Sequence, residues 1–347
     1  MGGNAIPKAR RVPKEEYDAI IAHVVGTTYY VMRNDITEIH LGDRIGIRGE
    51  IVKSYHQKED FGDIDVVIDD RVDIVDLFAH FRPKKCAVNG NVMSIAYDSI
   101  QIDFIRTPKE YIQTTLDYFA YNDLGNLLGK IARAVGLKYG NKGLIYQYKD
   151  DKGNVIEDIQ VTAKLEEIIP ALGLDYKRYE QGFDTMEDIF KFVASSLYFN
   201  PEMYALENAT TANRIRDARR KTYQAFLDWI GKQTFYFNAV GWTAAAAERS
   251  YPSPYSLILN GYPHVAERIK VIETEREQEK LFRELINGAV IGDLTGLTGA
   301  ELGQFIERFR QLHTKDEILK LTRPEVWKLI TDTFEFFKQK AQEKENG

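Results

Sequence analysis

The chain has 347 residues, of which 44% are hydrophobic, and its formal net charge is −6 at pH 7. This length predicts two domains, and the negative charge argues against a protein coated with phosphate-binding cations. A single cysteine, Cys86, excludes an internal disulfide and a zinc ribbon. No stretch approaches the roughly 18 continuous apolar residues of a membrane span, and residues 1–11 carry no apolar signal-peptide core. A cytoplasmic protein without a membrane partner is therefore expected.

Strand signals are concentrated in the first half of the chain. Apolar residues at helical spacing over 14–26, closed by Gly26, predict an opening helix. A second helix is predicted from Asp73 to Phe81, because Pro83 prevents it from continuing. Apolar and β-branched runs between turn signals predict strands at residues 36–39, 44–47, 63–68, 93–97, 99–105, 143–148 and 155–161.

The second half of the chain is predicted to be helical. Thr185 and Asp188 have the spacing of a helix N-cap and its partner acid, directly ahead of an apolar run. The order of elements predicts an α+β protein, with a mixed β-sheet and helices over 1–163 and an all-helical domain over 164–347. Further helices are predicted at 211–233, 265–287, 299–312 and 324–343.

Asp63, Asp65 and Asp103 are the most informative residues of the chain. Side chains at i and i+2 of a strand point to one face, so Asp63 and Asp65 share a small space. Asp103 lies in a second apolar run, where a buried strand carries a charge only with a partner. Carboxylates this close repel each other, and paired Mg²⁺ ions relieve such repulsion in phosphoryl-transfer sites. The pattern predicts a two-metal site, and the simpler alternative is an acidic turn or an exposed strand edge.

Residues 36–106 resemble the polymerase-β-type nucleotidyltransferases, whose pattern is a Gly-Ser turn, two aspartates alternating with apolar residues, and a lone aspartate on a later strand. The resemblance implies that Asp63 and Asp65 bind the metals and that Asp103 lies nearest the attacking hydroxyl. It also implies that residues 1–163 form the palm domain of such an enzyme and that residues 164–347 bind the acceptor.

The nucleotide-binding turn of that family is matched less well. The candidate turn contains Gly49, followed by Glu50 where the family has serine, and Ser54 is the alternative. Glu50 would place a negative charge where the family binds a phosphate. This departure bears on whether the site is active.

Two further segments, 121–127 and 137–144, resemble virus- and phage-encoded members of the superfamily. Asn122 is predicted to contact the sugar or base of a nucleotide, although asparagine at a helix start is equally explained as a cap. Lys142 lies in a glycine-rich loop whose backbone amides can approach a phosphate. A plain glycine-rich connection is the alternative for this loop.

Five basic residues between positions 214 and 221 lie in the predicted helix 211–233. Arg216, Arg219 and Arg220 fall at i, i+3 and i+4 and would share one face of it. Guanidinium groups suit phosphate geometry, so this face is a candidate nucleic-acid contact, and a solvated helix face is the alternative. The glycine-punctuated segment 287–303 resembles a region of CCA-adding tRNA nucleotidyltransferases and related RNA polymerases.

Together these features predict a nucleotidyltransferase that uses two Mg²⁺ ions, or Mn²⁺ in their place. It would transfer a nucleoside monophosphate from a nucleoside triphosphate to an acceptor hydroxyl. The 3′ end of an RNA is favoured as acceptor, and a small molecule or a protein side chain is the alternative within the enzyme class. The alternative from another class is a catalytically silent palm that serves as a binding or structural module in a viral assembly or a toxin-antitoxin pair.

Overall fold

The computed structural model describes residues 5–7, 9–35, 50–233 and 261–345. The predicted strands at 36–39 and 44–47, together with Gly49, lie outside the described residues. Within the described ranges, no helix is both long enough and apolar enough to cross a membrane.

Two compact units divide the chain, Met1–Val265 and Ala266–Gly347. The first contains β-sheets and helices, and every regular element in the described part of the second is a helix. The predicted α+β class is therefore confirmed. The predicted domain boundary after residue 163 falls inside the first unit, because elements on either side of it pack together. One such contact is a hydrogen bond of 3.2 Å from the Tyr204 hydroxyl to the Leu127 carbonyl.

The strands of the first unit form one large sheet and two smaller ones. The large sheet has the order β2-β4-β7-β6-β5, in which β4 and β7 are parallel and the other neighbours are antiparallel. Strands β8, β9 and β10 form an antiparallel meander, and β1 pairs with β3. In chain order the strands are β1 (Val12–Pro13), β2 (Glu50–Ile51), β3 (Asp60–Phe61), β4 (Asp63–Asp69), β5 (Cys86–Asn89), β6 (Val92–Tyr97), β7 (Ile100–Thr107), β8 (Lys138–Gly140), β9 (Gly143–Lys149) and β10 (Val155–Thr162).

The α-helices described in the first unit include several with identifiable caps. Thr185 and Asp188 form the predicted capping box at the start of one of them. The Asp73 side chain accepts a hydrogen bond from the Val75 amide and caps another. In chain order they are α1 (Lys14–Asp35), α2 (Ile74–Phe81), α3 (Ile112–Phe119), α4 (Leu124–Ala134), α5 (Leu165–Ala171), α6 (Tyr176–Glu180), α7 (Met186–Ala194), α8 (Thr211–Ala218) and α9 (Lys221–Lys232).

The two faces of the large sheet bury different side chains. Ile64 of β4 packs with Tyr17 of α1 and Leu77 of α2 in one core cluster. Val67 lies three residues after Ile64 in β4 and therefore points to the opposite face, where it packs with Leu116 of α3 in another cluster. Strand alternation thus gives α1 and α2 one face and α3 the other.

The segment 211–233 was predicted as one helix, and this prediction is wrong. Helix α8 ends at Ala218, and Arg220 adopts an extended backbone (φ −88°, ψ 114°) before α9 begins. A tertiary contact explains the break between the helices. Asp217, which is fully buried, forms an ion pair with Lys130, with 2.7 Å between Asp217 Oδ2 and Lys130 Nζ. Burial of this ion pair fixes the end of α8, although neither glycine nor proline marks the break.

The second unit is a helical bundle with its own core. Phe305, Phe309 and Ile330 lie at the centre of this core. The glycine-punctuated segment supplies helix caps: Asn287 accepts a hydrogen bond from the Val290 amide, and Gly296 ends a helix in the left-handed conformation (φ 73°). The helices are α10 (Pro263–Leu285), which begins just before the division, α11 (Gly288–Thr295), α12 (Gly299–Leu312), α13 (Lys315–Ile318) and α14 (Arg323–Glu345).

Candidate active site

Strands β4 and β7 bring the three predicted aspartates side by side. Their parallel register pairs Asp65 with Asp103 and Asp63 with Gln101. Paired residues on neighbouring strands point to the same face, so all three carboxylates belong to one face of the sheet. The structure therefore brings together the residues that the sequence pattern singled out.

A cleft of about 640 Å³ opens in front of this face. Asp63 and Asp65 line it, and so does Ser54, one of the predicted nucleotide-binding residues. Asp103 is not among the lining residues. The cleft wall carries five basic side chains, those of Arg11, Lys53, Lys58, Arg220 and Lys221.

Asp65 has a strongly shifted pKa. The pKa of the Asp65 carboxyl is raised to about 7, mainly by burial; the negative charges of Asp63 and Asp103 contribute to this rise and the Lys58 ammonium opposes it. Like charges thus accumulate at the end of the cleft that Asp63 and Asp65 line. A cation would relieve this repulsion.

The charge of Lys58 acts on these carboxylates. Its Nζ donates a hydrogen bond to the Asn122 side-chain oxygen (3.2 Å) and lies 4.6 Å from the centre of the Phe61 ring. Burial lowers the pKa of Lys58, while the charges of Asp63 and Asp65 raise it. Sequence reasoning missed this residue, because a single lysine in a loop is usually solvated.

Asp103 is held away from the cleft. It is 1% exposed, and Gln101 Nε2 donates to its two carboxylate oxygens at 2.9 and 3.0 Å. Burial raises the pKa of Asp103, a hydrogen bond from the Ser94 hydroxyl lowers it, and the charge of Asp63 raises it. Across the part of the chain that the structure describes, no group of three His, Cys, Asp or Glu residues is arranged to hold a metal ion.

Asn122 and Asp123 form another part of the cleft wall. Tyr121 and Asn122 both have left-handed backbones (φ 56° and 63°), a strained conformation that is uncommon outside glycine. The Asp123 side chain makes no capping hydrogen bond to α4 and instead forms an ion pair with Arg220. The two polar side chains therefore face the cleft and its basic residues, and helix capping does not explain them.

The remaining predicted nucleotide contacts lie elsewhere. Glu50 is an exposed residue of the short strand β2 and does not line the cleft. Lys142 is exposed in the turn between β8 and β9, with Nζ 5.4 Å from the centre of the Tyr111 ring, and does not line the cleft either. Of the predicted nucleotide-binding residues that are described, only Ser54 and Asn122 lie in the cleft.

The three predicted nucleic-acid contacts are separated by the break after α8, so the prediction that they share one helical face is wrong. Arg220 lines the cleft. Arg216 donates hydrogen bonds to Asn126 (3.1 Å) and Asp217 (3.2 Å). Arg219 is exposed at the end of α8. Only one of the three arginines therefore faces the aspartates.

No protein-family model matches the sequence, and no curated protein matches it either. The resemblance to polymerase-β-type nucleotidyltransferases therefore rests on the motif residues themselves. The function has to be inferred from the geometry of Asp63, Asp65 and Asp103.

Proposed function

We propose that this protein is a divalent-metal-dependent nucleotidyltransferase that moves a nucleoside monophosphate from a nucleoside triphosphate to an acceptor hydroxyl. One observation carries the proposal. Asp63 and Asp65 line the same cleft as five basic side chains, and Asp103 is paired with Asp65 on the parallel neighbouring strand. A carboxylate cluster opposite cations suits a metal-bound triphosphate, since the metal satisfies the carboxylates and the cations bind phosphate oxygens.

The residues present fit a hard divalent cation. Asp63 and Asp65 supply carboxylate oxygens, the ligands that Mg²⁺ and Mn²⁺ prefer. The pKa of Asp65 is raised mainly by burial and also by the charge of Asp63, and a bound cation would relieve both effects. Bound there, Mg²⁺ would neutralise phosphate charge and lower the pKa of the acceptor hydroxyl.

Other side chains would bind the nucleotide and accept the proton of the acceptor. Lys58, Arg220 and Lys221 would bind the phosphate oxygens of the triphosphate, and Asn122 would contact the sugar or the base. The acceptor oxygen would form a bond to the α-phosphorus as the bond to pyrophosphate breaks. Asp103, whose pKa is raised by burial, would accept the proton of the acceptor hydroxyl.

RNA is the proposed acceptor. The support is two exposed arginines, Arg214 on α8 and Arg219 directly after it, which precede the cleft residue Arg220. A phosphodiester backbone approaching the cleft would meet these cations. A small-molecule or protein acceptor would have no need of them.

A transfer assay tests the proposal. The protein is incubated with each α-labelled nucleoside triphosphate, with Mg²⁺ or Mn²⁺, and with total RNA. We expect label in RNA, lost on chelation and lost in Asp63→Asn. Lys142→Met, which alters a basic residue outside the cleft, is the matched control and should keep activity. Label in no molecule under any of these conditions would contradict the proposal.

A catalytically silent nucleotide-binding module is the second candidate. The observation that favours it is the burial of Asp103, whose carboxylate is bonded to Gln101 and does not line the cleft. Such a module would bind nucleoside triphosphate in a manner that depends on Lys58 and Arg220, with no label transfer. Equilibrium binding measured beside the transfer assay separates the two functions.

A further inference from the structure

A chain of hydrogen bonds connects the N-terminal segment to the third carboxylate. We define the N-terminal strap as residues 5–7 and 9–13. Ile6, which is 4% exposed, donates its backbone N–H to Gln101 Oε1 at 3.0 Å. The amide nitrogen of the same Gln101 side chain, which is fully buried, donates to both oxygens of Asp103. The strap therefore reaches Asp103 through a single side chain.

We infer that this chain of bonds is an autoinhibitory latch, an inference that rests on the proposed nucleotidyltransfer. While Gln101 holds both of its oxygens, the buried Asp103 carboxylate cannot meet an acceptor hydroxyl or a metal ion in the cleft. The backbone N–H of Ile6 helps to fix the Gln101 side chain, because it donates a hydrogen bond to the buried Oε1 of Gln101. When the strap leaves, that oxygen loses this partner and Gln101 turns, which withdraws its two hydrogen bonds from Asp103. The carboxylate, still bonded to the Ser94 hydroxyl, is then able to turn toward Asp65.

The strap is attached in a way that permits release. Its two-residue strand, β1, contains the buried Val12, and the Arg10 amide donates to the Ser99 carbonyl at 2.7 Å. The ion pair between Arg11 and Asp60 is exposed, with side-chain exposures of 55% and 57%. Exposed pairs contribute little and are screened by salt. Strand β1 of the strap pairs with β3 and is not part of the five-stranded sheet, so its detachment leaves the ladder of that sheet intact.

A matched pair of substitutions at one position tests the latch. Ile6→Pro and Ile6→Ala both remove the isoleucine side chain, but only proline lacks the backbone N–H. Mn²⁺ alone is titrated into the 347-residue protein and followed by electron paramagnetic resonance. We expect Ile6→Pro to bind Mn²⁺ about two- to tenfold more tightly than Ile6→Ala, the change that corresponds to one hydrogen bond. Adding Asp103→Asn to the proline variant should abolish the gain.

A second variant keeps the test independent of folding at position 6. Gln101→Met removes the amide at nearly constant length and should tighten Mn²⁺ binding in the same direction, with folding verified by circular dichroism. Equal or weaker binding in both Ile6→Pro and Gln101→Met, or a gain that survives Asp103→Asn, overturns the latch. If Asp63→Asn removes Mn²⁺ binding while the latch variants change nothing, only the latch fails. If Asp63→Asn leaves Mn²⁺ binding unchanged, the proposed metal site fails and the latch falls with it.

Discussion

Lys130 and Asp217 form a buried ion pair between α4 and the end of α8, with 2.7 Å between Nζ and Oδ2 and side-chain exposures of 7% and 0%. Arg216 adds a further contact to the same carboxylate, 3.2 Å from its Nε to Oδ1. Both ion-pair partners are removed from water, so each charge depends on the other. The pair also fixes the break in the chain at which Arg220 turns into the cleft.

Removing one partner of this pair should destabilise the fold strongly. We expect Lys130→Met to lower the free energy of unfolding by about 3–5 kcal/mol, because it leaves the Asp217 charge buried without its main partner. The double variant Lys130→Met/Asp217→Leu should recover most of that loss. Urea unfolding followed by circular dichroism provides the measurement.

The control is Lys138→Met, which breaks an exposed ion pair with Asp158 and should cost no more than about 1 kcal/mol. If Lys130→Met and Lys138→Met cost the same, the buried pair does not stabilise the end of α8.

The same pair should make stability depend on pH in the acid range. Burial raises the pKa of Asp217, but the hydrogen bond and charge of Lys130 and the charge of Arg216 outweigh it, so the folded-state pKa lies below the ordinary value. A lowered folded pKa stabilises above the unfolded pKa of about 3.9, and that stabilisation is lost as pH falls through the folded value. We therefore expect the gap in unfolding free energy between the unsubstituted protein and Asp217→Asn to be constant above about pH 5 and to narrow below it. A gap that widens in acid would contradict this assignment.

The carboxylate face of the site was predictable because it depends only on local rules. Alternation in a strand places Asp63 and Asp65 together, and a buried strand cannot carry Asp103 without a partner. Both rules hold in the structure, where Asp65 and Asp103 are paired in register. The partners of Asp103 are the Gln101 amide on its own strand and the Ser94 hydroxyl on β6, which the charge pattern alone could not distinguish from a metal ion.

The basic wall of the cleft was predictable only in part, because it depends on tertiary structure. Arg220 was singled out for its helical spacing, but it faces the cleft because α8 ends early. That end is set by a contact with Lys130, far away in the sequence, and no local signal encodes it. Lys58 likewise lies in the cleft wall, where it contacts Asn122, a residue far away in the sequence.

Asp65→Asn should abolish nucleotide transfer without unfolding the protein. If Asp65 binds the metal as proposed, its loss should lower turnover at least about a hundredfold, because removing a residue that only supports a metal ligand already costs about 10- to 100-fold. Loss of its charge also relieves repulsion with Asp63 and Asp103, so the metal-free variant should melt at the same temperature or slightly higher. Label transfer and thermal melting in a chelator test both parts. Unchanged turnover would remove Asp65 from the site, and a lower melting temperature would make its role structural.

Arg220→Met should weaken binding of the nucleoside triphosphate. Arg220 lines the cleft and pairs with Asp123, both side chains being 19% exposed. Its loss removes a charge-assisted contact and leaves the Asp123 carboxylate facing the phosphates, so we expect the Kd to rise by about 10- to 100-fold. Equilibrium dialysis with each triphosphate measures the change, and Arg220→Met/Asp123→Asn should recover part of it. An unchanged Kd would show that Arg220 serves only the ion pair.

Arg219→Glu should separate acceptor binding from nucleotide binding. Arg219 is exposed at the end of α8 and does not line the cleft, so its reversal should leave the triphosphate Kd unchanged. If RNA phosphates lie along α8, the reversal removes a counterion-releasing contact. We then expect weaker RNA binding and a shallower dependence of log K on log salt, by about one unit of slope. Filter binding at several salt concentrations measures both, with Lys152→Glu in the β9–β10 turn as the control for net charge. If both variants keep the same RNA affinity and the same slope, Arg219 is only a solvated residue, and a small-molecule or protein acceptor becomes the better proposal.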